Sequence, residues 1–439
     1  MTCQAAPPAS STTRSPLNVP LCWTQSRLSR HVRINEGLVD PEMEPYSSMS
    51  LIAPNHIESG TGRILYTESS DEQGAESGKY LVRRGQVIYS KIRPNLMKVA
   101  LAPADCLCSA DMYGLEGRHG QIDNRYLKWF LLSREFTEQI VLESLRSALP
   151  KVNRDSLGAS KIWFPSITEQ VQLTRFLDRE TAQIDDLIGK QERLIGLLAE
   201  KRQTIITHAV TKGLDSTAPT KPSGVAWQGC VPEHWTVQPL KNLMRMQTGV
   251  TLGKDFSEVE TETYAYLRVA NVQIGYVDLN DVKEIDLPSE VAASSMLQPG
   301  DVLMTEGGDR DKLARGCIWD GSISPCVHQN HIFAVRTGPQ LLNSFLVLVL
   351  DADPARTYFY LTGKQSTNLA STNSTTVKNF RFGVPPISEQ RRIVNHLKTK
   401  TLQIDDLVEK AKAVISTLKE RRSALISAAV TGKIEVGSS

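Results

Sequence analysis

Between residues 169 and 212 there is no proline, and apolar residues fall at Leu177, Ile184, Leu198 and Ile205, with Leu187, Ile188, Leu194 and Ile195 between them. A seven-residue recurrence of this kind is the seam of a coiled-coil helix. The register returns later in the chain as Leu397, Ile404, Ala411, Leu418 and Leu425, flanked by Leu407, Val408, Val414 and Ile415. The two seams are expected to pack together. Proline cannot lie deep in a helix, and Ser166 or Thr168 in one segment and Ser388 in the other offer N-caps after prolines, so both starts are marked. About 42 residues at about 1.5 Å each make a rod of roughly 60 Å, far longer than an ordinary globular helix. Elsewhere the runs are short. Residues 80–83, 86–89, 264–271 and 301–305 read as strands, and 124–133 and 341–351 read as helical or buried.

The two helical segments are parts of a longer repeat. Pro-Ser-Ile-Thr-Glu-Gln at 165–170 recurs as Pro-Pro-Ile-Ser-Glu-Gln at 385–390, and Gln-Ile-Asp-Asp-Leu at 183–187 recurs at 403–407. The same spacing of 220 aligns Glu200 with Glu420, Arg202 with Arg422, and Ala-Val-Thr at 209–211 with 429–431. Upstream the likeness is fainter but keeps its order: Trp23 with Trp235, 85–87 with 300–302, Cys106 with Cys326, Leu149 with Leu369, Asn153 with Asn373. The spacing grows from 212 through 215 to 220, as loop insertions in the second half would make it. A repeat of this kind sets the fold. The expected class is α/β: two globular domains with mixed β-sheets, each followed by a long helix, the helices forming an antiparallel coiled coil. The expected divisions are a disordered tail 1–22, a globular domain 23–164, a helix 165–212, a linker 213–234, a second globular domain 235–384, a second helix 385–432 and a tail 433–439.

Length agrees, since 439 residues exceed one ordinary core. With 40% hydrophobic residues and no apolar run near the roughly 18 needed to span a bilayer, a membrane role is not expected. The Pro/Ser/Thr-rich start has no secretory signal pattern, and seven scattered cysteines fit reduced thiols better than a disulfide framework, so the expected compartment is the cytoplasm. A net charge of +2 neither makes nor excludes a nucleic-acid binder.

Candidate chemistry lies in loops at matching places. Lys91, Arg93 and Asn95 follow one strand of the first half, and Arg310, Lys312 and Arg315 follow its counterpart in the second. Gln329, Asn330, Thr372, Asn373 and Lys378 in the second half, with Lys151, Asn153 and Arg154 in the first, supply amides and hydroxyls that read base edges and cations that grip phosphates. A solvated loop without ligand is the plain alternative at each position. Asp185-Asp186 and Asp405-Asp406 are not an acid-base pair, because adjacent residues of a helix do not face each other; they belong on a solvated or partner-facing side. Cys317, Cys326, His328 and His331 have the wrong spacing for a zinc finger, and the first half has Cys108, Ser109, Ala110 and Asp111 where the second has 328–331, so no metal is expected and His331 is assigned to a core hydrogen-bond network. Residues 249–255 only imitate a phosphate loop, having one residue too few between the glycines and no Ser/Thr after Lys254. No methyltransferase or nuclease motif is present.

From residue 23 to 433 the chain resembles the specificity subunit of type I restriction-modification enzymes. The resemblance rests on Tyr-Leu-Arg-Val-Ala-Asn-Val-Gln at 266–273, Pro-Gly-Asp-Val-Leu-Met-Thr-Glu-Gly-Gly at 299–308, His-Gln-Asn-His-Ile-Phe at 328–333, Thr-Asn-Leu-Ala-Ser-Thr-Asn at 367–373 and the phrase at 385–390. The first half departs from most of these, as a different target would require. The resemblance implies that each globular domain is a target-recognition domain for one half of a bipartite, asymmetric site in double-stranded DNA. It further implies that the helices set the gap and dock two methyltransferase subunits, which bring S-adenosylmethionine, through Glu169, Gln170, Asp185, Asp186, Glu389, Gln390, Asp405 and Asp406. Two motor-nuclease subunits with Mg and ATP would complete the complex; this chain is expected to hold no cofactor and do no catalysis. The rival is a coiled-coil scaffold with two ligand-binding domains, which salt-insensitive behaviour toward duplex DNA would favour.

Overall fold

Element order repeats once along the chain. The computed structural model describes residues 19–144, 151–251, 253, 256, 259–310, 313–314, 316–365 and 370–434. The first half runs β1 (Thr24–Arg27), a single helical turn α1 (Leu28–His31), β2 (Val32–Ile34), β3 (Ser50–Ile52), β4 (Glu68–Ser69), β5 (Tyr80–Val82), β6 (Val87–Ser90), β7 (Val99–Leu101), β8 (Cys106–Cys108) and β9 (Met112–Gly117). Helices α2 (Asn124–Leu131), α3 (Arg134–Ser144) and α4 (Arg154–Ala159) follow, then β10 (Lys161–Phe164) and the long α5 (Ile167–Lys212).

A short hairpin, β11 (Thr220–Pro222) with β12 (Cys230–Pro232), stands in the segment expected as a plain linker. The second half then runs β13 (Thr236–Pro239), β14 (Met244–Thr248), β15 (Glu262–Leu267), β16 (Lys283–Leu287), α6 (Ser289–Ser295), β17 (Val302–Thr305), β18 (Gly307–Gly308), β19 (Gly316–Ile318), β20 (Cys326–His328) and β21 (Ile332–Thr337). It closes with α7 (Asn343–Asp351), α8 (Asp353–Thr362), β22 (Lys364–Gln365), β23 (Ala370–Ser371), α9 (Ser374–Asn379), β24 (Arg381–Val384) and the long α10 (Ile387–Val430).

The two halves share a four-stranded sheet and the core of a second one, and the second half adds the small sheet β18-β23-β22. The strand orders β2-β9-β6-β7 and β14-β21-β17-β19 correspond, and the parallel pair β3/β8 has its counterpart in β15/β20. Strands β1 and β10 close the first domain as β13 and β24 close the second. The central strands β6 and β17 are buried at every residue, which is why they read as unbroken apolar runs rather than alternating ones. Val87 and Tyr89 face a core shared with the helices while Ile88 faces a second core under the other sheet; Val302 and Met304, against Leu303, repeat this division. The turns before both strands hold Gly85 and Gly300 at positive φ (81° and 95°), a conformation that favours glycine.

The described chain forms two compact units, residues 1–191 with 412–439, and residues 192–411. Each therefore contains one globular domain, half of α5 and half of α10. In the first unit Leu173 and Leu177 of α5 and Ile426, Ala429 and Val430 of α10 join the main domain core; in the second, Ile206, Ala209 and Val210 join Ile393 and Leu397. Burial of such side chains contributes roughly 1.5–3 kcal/mol each, so the helices belong to the domain cores. In the first unit the early half of α5 meets the late half of α10, and in the second the late half of α5 meets the early half of α10, the antiparallel pairing. The heptad seam is narrower than the pattern suggests. Leu177, Ile184, Leu198, Leu397, Ile404 and Ala411 are buried, whereas Leu187, Leu194, Leu407 and Val414 are exposed.

One boundary needs correction. Val19 is fully buried in the first core and Pro20 accepts from the Trp23 amide at 3.1 Å, so the expected tail is ordered from residue 19; residues 1–18 and 435–439 lie outside the described ones.

Candidate nucleic-acid interface

In the first domain the loop leaving β6 is stitched to the segment entering α4. The Lys91 amide donates to Asp111 O at 3.0 Å, its carbonyl accepts from the Val152 amide at 2.8 Å, and Ile92 bridges to Lys151. This brings Lys91 and Arg154 over the ring of Tyr113, with the Lys91 ammonium 5.2 Å and the Arg154 guanidinium 5.4 Å from its centroid, and sets Lys151 close to Lys91. Burial first, and then repulsion from Lys151, hold the Lys91 pKa below its ordinary value. Arg93 is exposed beside them in a left-handed conformation (φ 48°) that turns the chain before Pro94. Arg154 is less free than expected. Its guanidinium donates to Ile34 O at 2.8 Å and to Asn35 O, so it fastens the loop to β2 instead of reaching outward. A groove of about 800 Å³ runs beside it, lined in part by Arg27 and Arg33.

In the second domain the equivalent loop carries β18, which pairs with β23, so Arg310 and the 370–373 segment converge. Arg310 stacks over the exposed ring of Tyr360 at 4.2 Å, and donates to Tyr360 O at 3.1 Å and Gln365 Oε1 at 3.2 Å. Lys312 and Arg315 lie outside the described residues. Lys378 is exposed on α9. Gln329 and Asn330 follow β20 and are half-buried; the Gln329 side-chain Oε1 accepts from the Val269 amide at 3.3 Å. His331 is no core residue. It is exposed, with Nδ1 2.6 Å from Glu306 Oε2, because the turn after β20 points it out of the sheet. The buried histidine is His328, whose pKa desolvation holds down to about 4.

Three expected base readers have structural work instead. Asn153 and Asn373 cap α4 and α9, their Oδ1 atoms accepting from the Ser156 amide at 2.7 Å and the Thr376 amide at 2.9 Å. Thr372 is buried and its amide donates to Glu306 O at 2.8 Å. Tyr113, Tyr360 and Gln365 are not marked by the sequence, because they meet Lys91 and Arg310 only in the fold.

Of the residues expected to dock partners, Gln170 and Gln390 are fully buried and face inward. Gln170 accepts from the Asp123 amide and donates to Gln121 O and Pro165 O, at 2.8–2.9 Å. Gln390 repeats this with Leu342, Gln340 and Pro385, also at 2.8–2.9 Å. Neither amide is left for a partner. Glu389 pairs with His234 at 2.7 Å; Glu169 is half-buried, which raises its pKa, against a hydrogen bond from Trp23. Asp185 pairs with Arg422 at 2.9 Å and Asp405 with Arg202 at 2.6 Å, each joining the two helices. Asp186 and Asp406 are exposed, salt-bridged to Lys190 and Lys410 one turn on, and flank the exposed pairs Leu187/Leu194 and Leu407/Val414.

No cluster of His, Cys, Asp or Glu among the described residues could hold a metal, and no helix among them is long and apolar enough to cross a membrane. A family profile described as the type I restriction modification DNA specificity domain matches residues 40–195. The type I restriction enzyme EcoDI specificity subunit of Escherichia coli is 32% identical over 192 residues, 44% of this chain and 42% of that subunit. The EcoKI subunit of Escherichia coli K12 is 20% identical over 317 residues, 70% of this chain and 65% of its own length. The chain thus spans less than two thirds of both. A putative specificity subunit, MjaX, of Methanocaldococcus jannaschii is 22% identical over 85% of this chain and 84% of its own length. Among solved structures, a chain from a study of complex assembly and conformational transition of the type I R-M system superposes with a TM-score of 0.74 at 18% identity, covering 95% of this chain and 99% of that one. The HsdS subunit from Thermoanaerobacter tengcongensis gives 0.52 at 17%, covering 95% and 98%. These two establish the fold.

Proposed function

We infer a sequence-reading role from family: the chain belongs to the type I restriction-modification specificity subunits, and each of its globular domains reads one half of a bipartite, asymmetric site in double-stranded DNA. The observation that carries this reading is the pairing of like scaffolds with unlike loops. Both domains use the same sheet order and the same glutamine seat on a helix, yet the loop leaving the central strand is Lys91-Ile-Arg93 in one and a glycine strand leading to Arg310 in the other. A shared main sheet with different reading edges suits two different half-sites.

Phosphate contact falls to Lys91, Arg93, Lys151 and Lys378, which position the domains, while Gln329, Asn330, Gln365 and the Arg310–Tyr360 stack face base edges. Half-sites read from one face of a duplex lie about one helical turn or a multiple apart, near 34 Å per turn, and helices built into both domain cores hold that separation. The exposed stripes Leu187/Leu194 and Leu407/Val414, each beside an exposed aspartate, suit two equivalent docking sites for methyltransferase subunits. Those subunits bring S-adenosylmethionine and flip the target adenine; motor-nuclease subunits bring Mg and ATP; this chain supplies recognition alone, in the cytoplasm.

Co-expression with the methyltransferase subunit in an unmethylated host, followed by methylome sequencing, tests the reading. One new gapped, asymmetric adenine-methylated motif is expected; a stable complex with no new methylation would refute it.

A further inference from the structure

A pocket of about 710 Å³ lies inside the second unit, walled by Ile206, Ile318, Val347, Leu348 and Leu397, with Lys398 at its rim. The first half shows why it exists. Helices α2 and α7 align from Asn124 and Asn343, whose side-chain amides donate to Gly85 O at 2.9 Å and Gly300 O at 3.0 Å. In that register Lys128 corresponds to Val347 and Trp129 to Leu348, while the 220-residue spacing of the long helices matches Asp178 to Lys398.

The first half fills this space itself. Trp129 is buried, its Nε1 donates to Asp178 Oδ1 at 3.0 Å, and the Lys128 ammonium sits 3.8 Å from its ring centroid. The second half keeps the walls and loses the contents, with an isobutyl group in place of an indole and an isopropyl in place of a lysine. The charge is also reversed, because an ammonium stands where the first half has the carboxylate. Arg202, Arg356 and Lys398 line the pocket against one carboxylate, Asp351, and Lys398 has no ion pair among the described residues. The volume falls in the range of small-molecule sites, and apolar cavities of this kind accept aromatic guests.

We propose that the second half carries a binding site for a small aromatic acid, its planar ring of indole size lying against Val347 and Leu348 and its carboxylate meeting Lys398. Occupancy ties α7 to α10, the contact that seats the second domain on its helix. Isothermal titration of the full chain with indole-3-carboxylate and with neutral indole tests this. The acid is expected to bind at one site and more tightly than indole. Lys398→Asp, which restores the first half's charge, weakens the acid by about tenfold or more and leaves indole nearly unchanged; Leu348→Trp, which restores the first half's filling, removes both. Circular dichroism checks that each variant folds, and Lys398→Asp decides the matter if Leu348→Trp does not. Absence of saturable binding, acid binding no tighter than indole, or acid binding that survives either substitution overturns the proposal.

Discussion

The junctions between globular domain and helix in the two halves are built from corresponding residues and packed differently. In the first, Arg422 is buried and makes three contacts: Asp185 at 2.9 Å, Gly60 O at 2.7 Å and Thr61 O at 2.9 Å, with Trp129 filling the space nearby. In the second, the corresponding Arg202 pairs among the described residues with Asp405 alone, and Ile274 and Gly275 line the same cavity as its side chain. The glutamine seat is the same in both. Repetition of a helix therefore preserves the hydrogen bonds that fix a domain to it, while the volume beside that seat is free to change.

Three sets of substitutions separate the two junctions, in order of decreasing effect. Gln170→Leu and Gln390→Leu each leave one buried amide and two carbonyls without partners, at about 1–3 kcal/mol per group. Each is expected to destabilise its own unit by about 3 kcal/mol or more and by similar amounts, measured by native-state hydrogen exchange so that the units are read separately. Unequal losses would show that the seats are not equivalent.

Trp129→Leu should open in the first unit the cavity that the second already has, costing about 3 kcal/mol by the same measurement. A cost near zero would mean the indole is not filling the junction. The smallest contrast is in the arginines. Arg422→Ala abandons a half-buried carboxylate and two carbonyls and should cost about 2 kcal/mol, whereas Arg202→Ala removes an exposed pair and should cost less than about 1 kcal/mol. Equal costs would erase the difference between the junctions.

Much of the frame was legible in the chain itself. Proline-marked starts and heptad spacing carried α5 and α10, and the growing spacing of 212, 215 and 220 is matched by Thr24/Thr236, Val87/Val302 and Cys106/Cys326 at equivalent strand positions. Side-chain direction was not legible. Gln170 and Gln390 stand in a repeated phrase, which marks a shared role without saying whether the amide points to a partner or into the core. Asn153 and Asn373 precede short helices, so their capping signal was present, but asparagine caps helices and reads bases with the same carboxamide. His331 and His328 lie three residues apart at the end of one strand, and only the turn decides which is buried. The junction cavity required both halves in three dimensions, because Trp129 and Leu348 correspond only once α2 and α7 are aligned on their asparagines.

We propose that each domain reads its own half of the site. Methylome sequencing of a host carrying the complex with Arg310→Ala and Tyr360→Ala in the second domain tests it most directly. Base preference is expected to relax in one half of the methylated motif while the other half and the gap stay as in the wild type. Relaxation of both halves together, or an unchanged motif at full methylation, would contradict it.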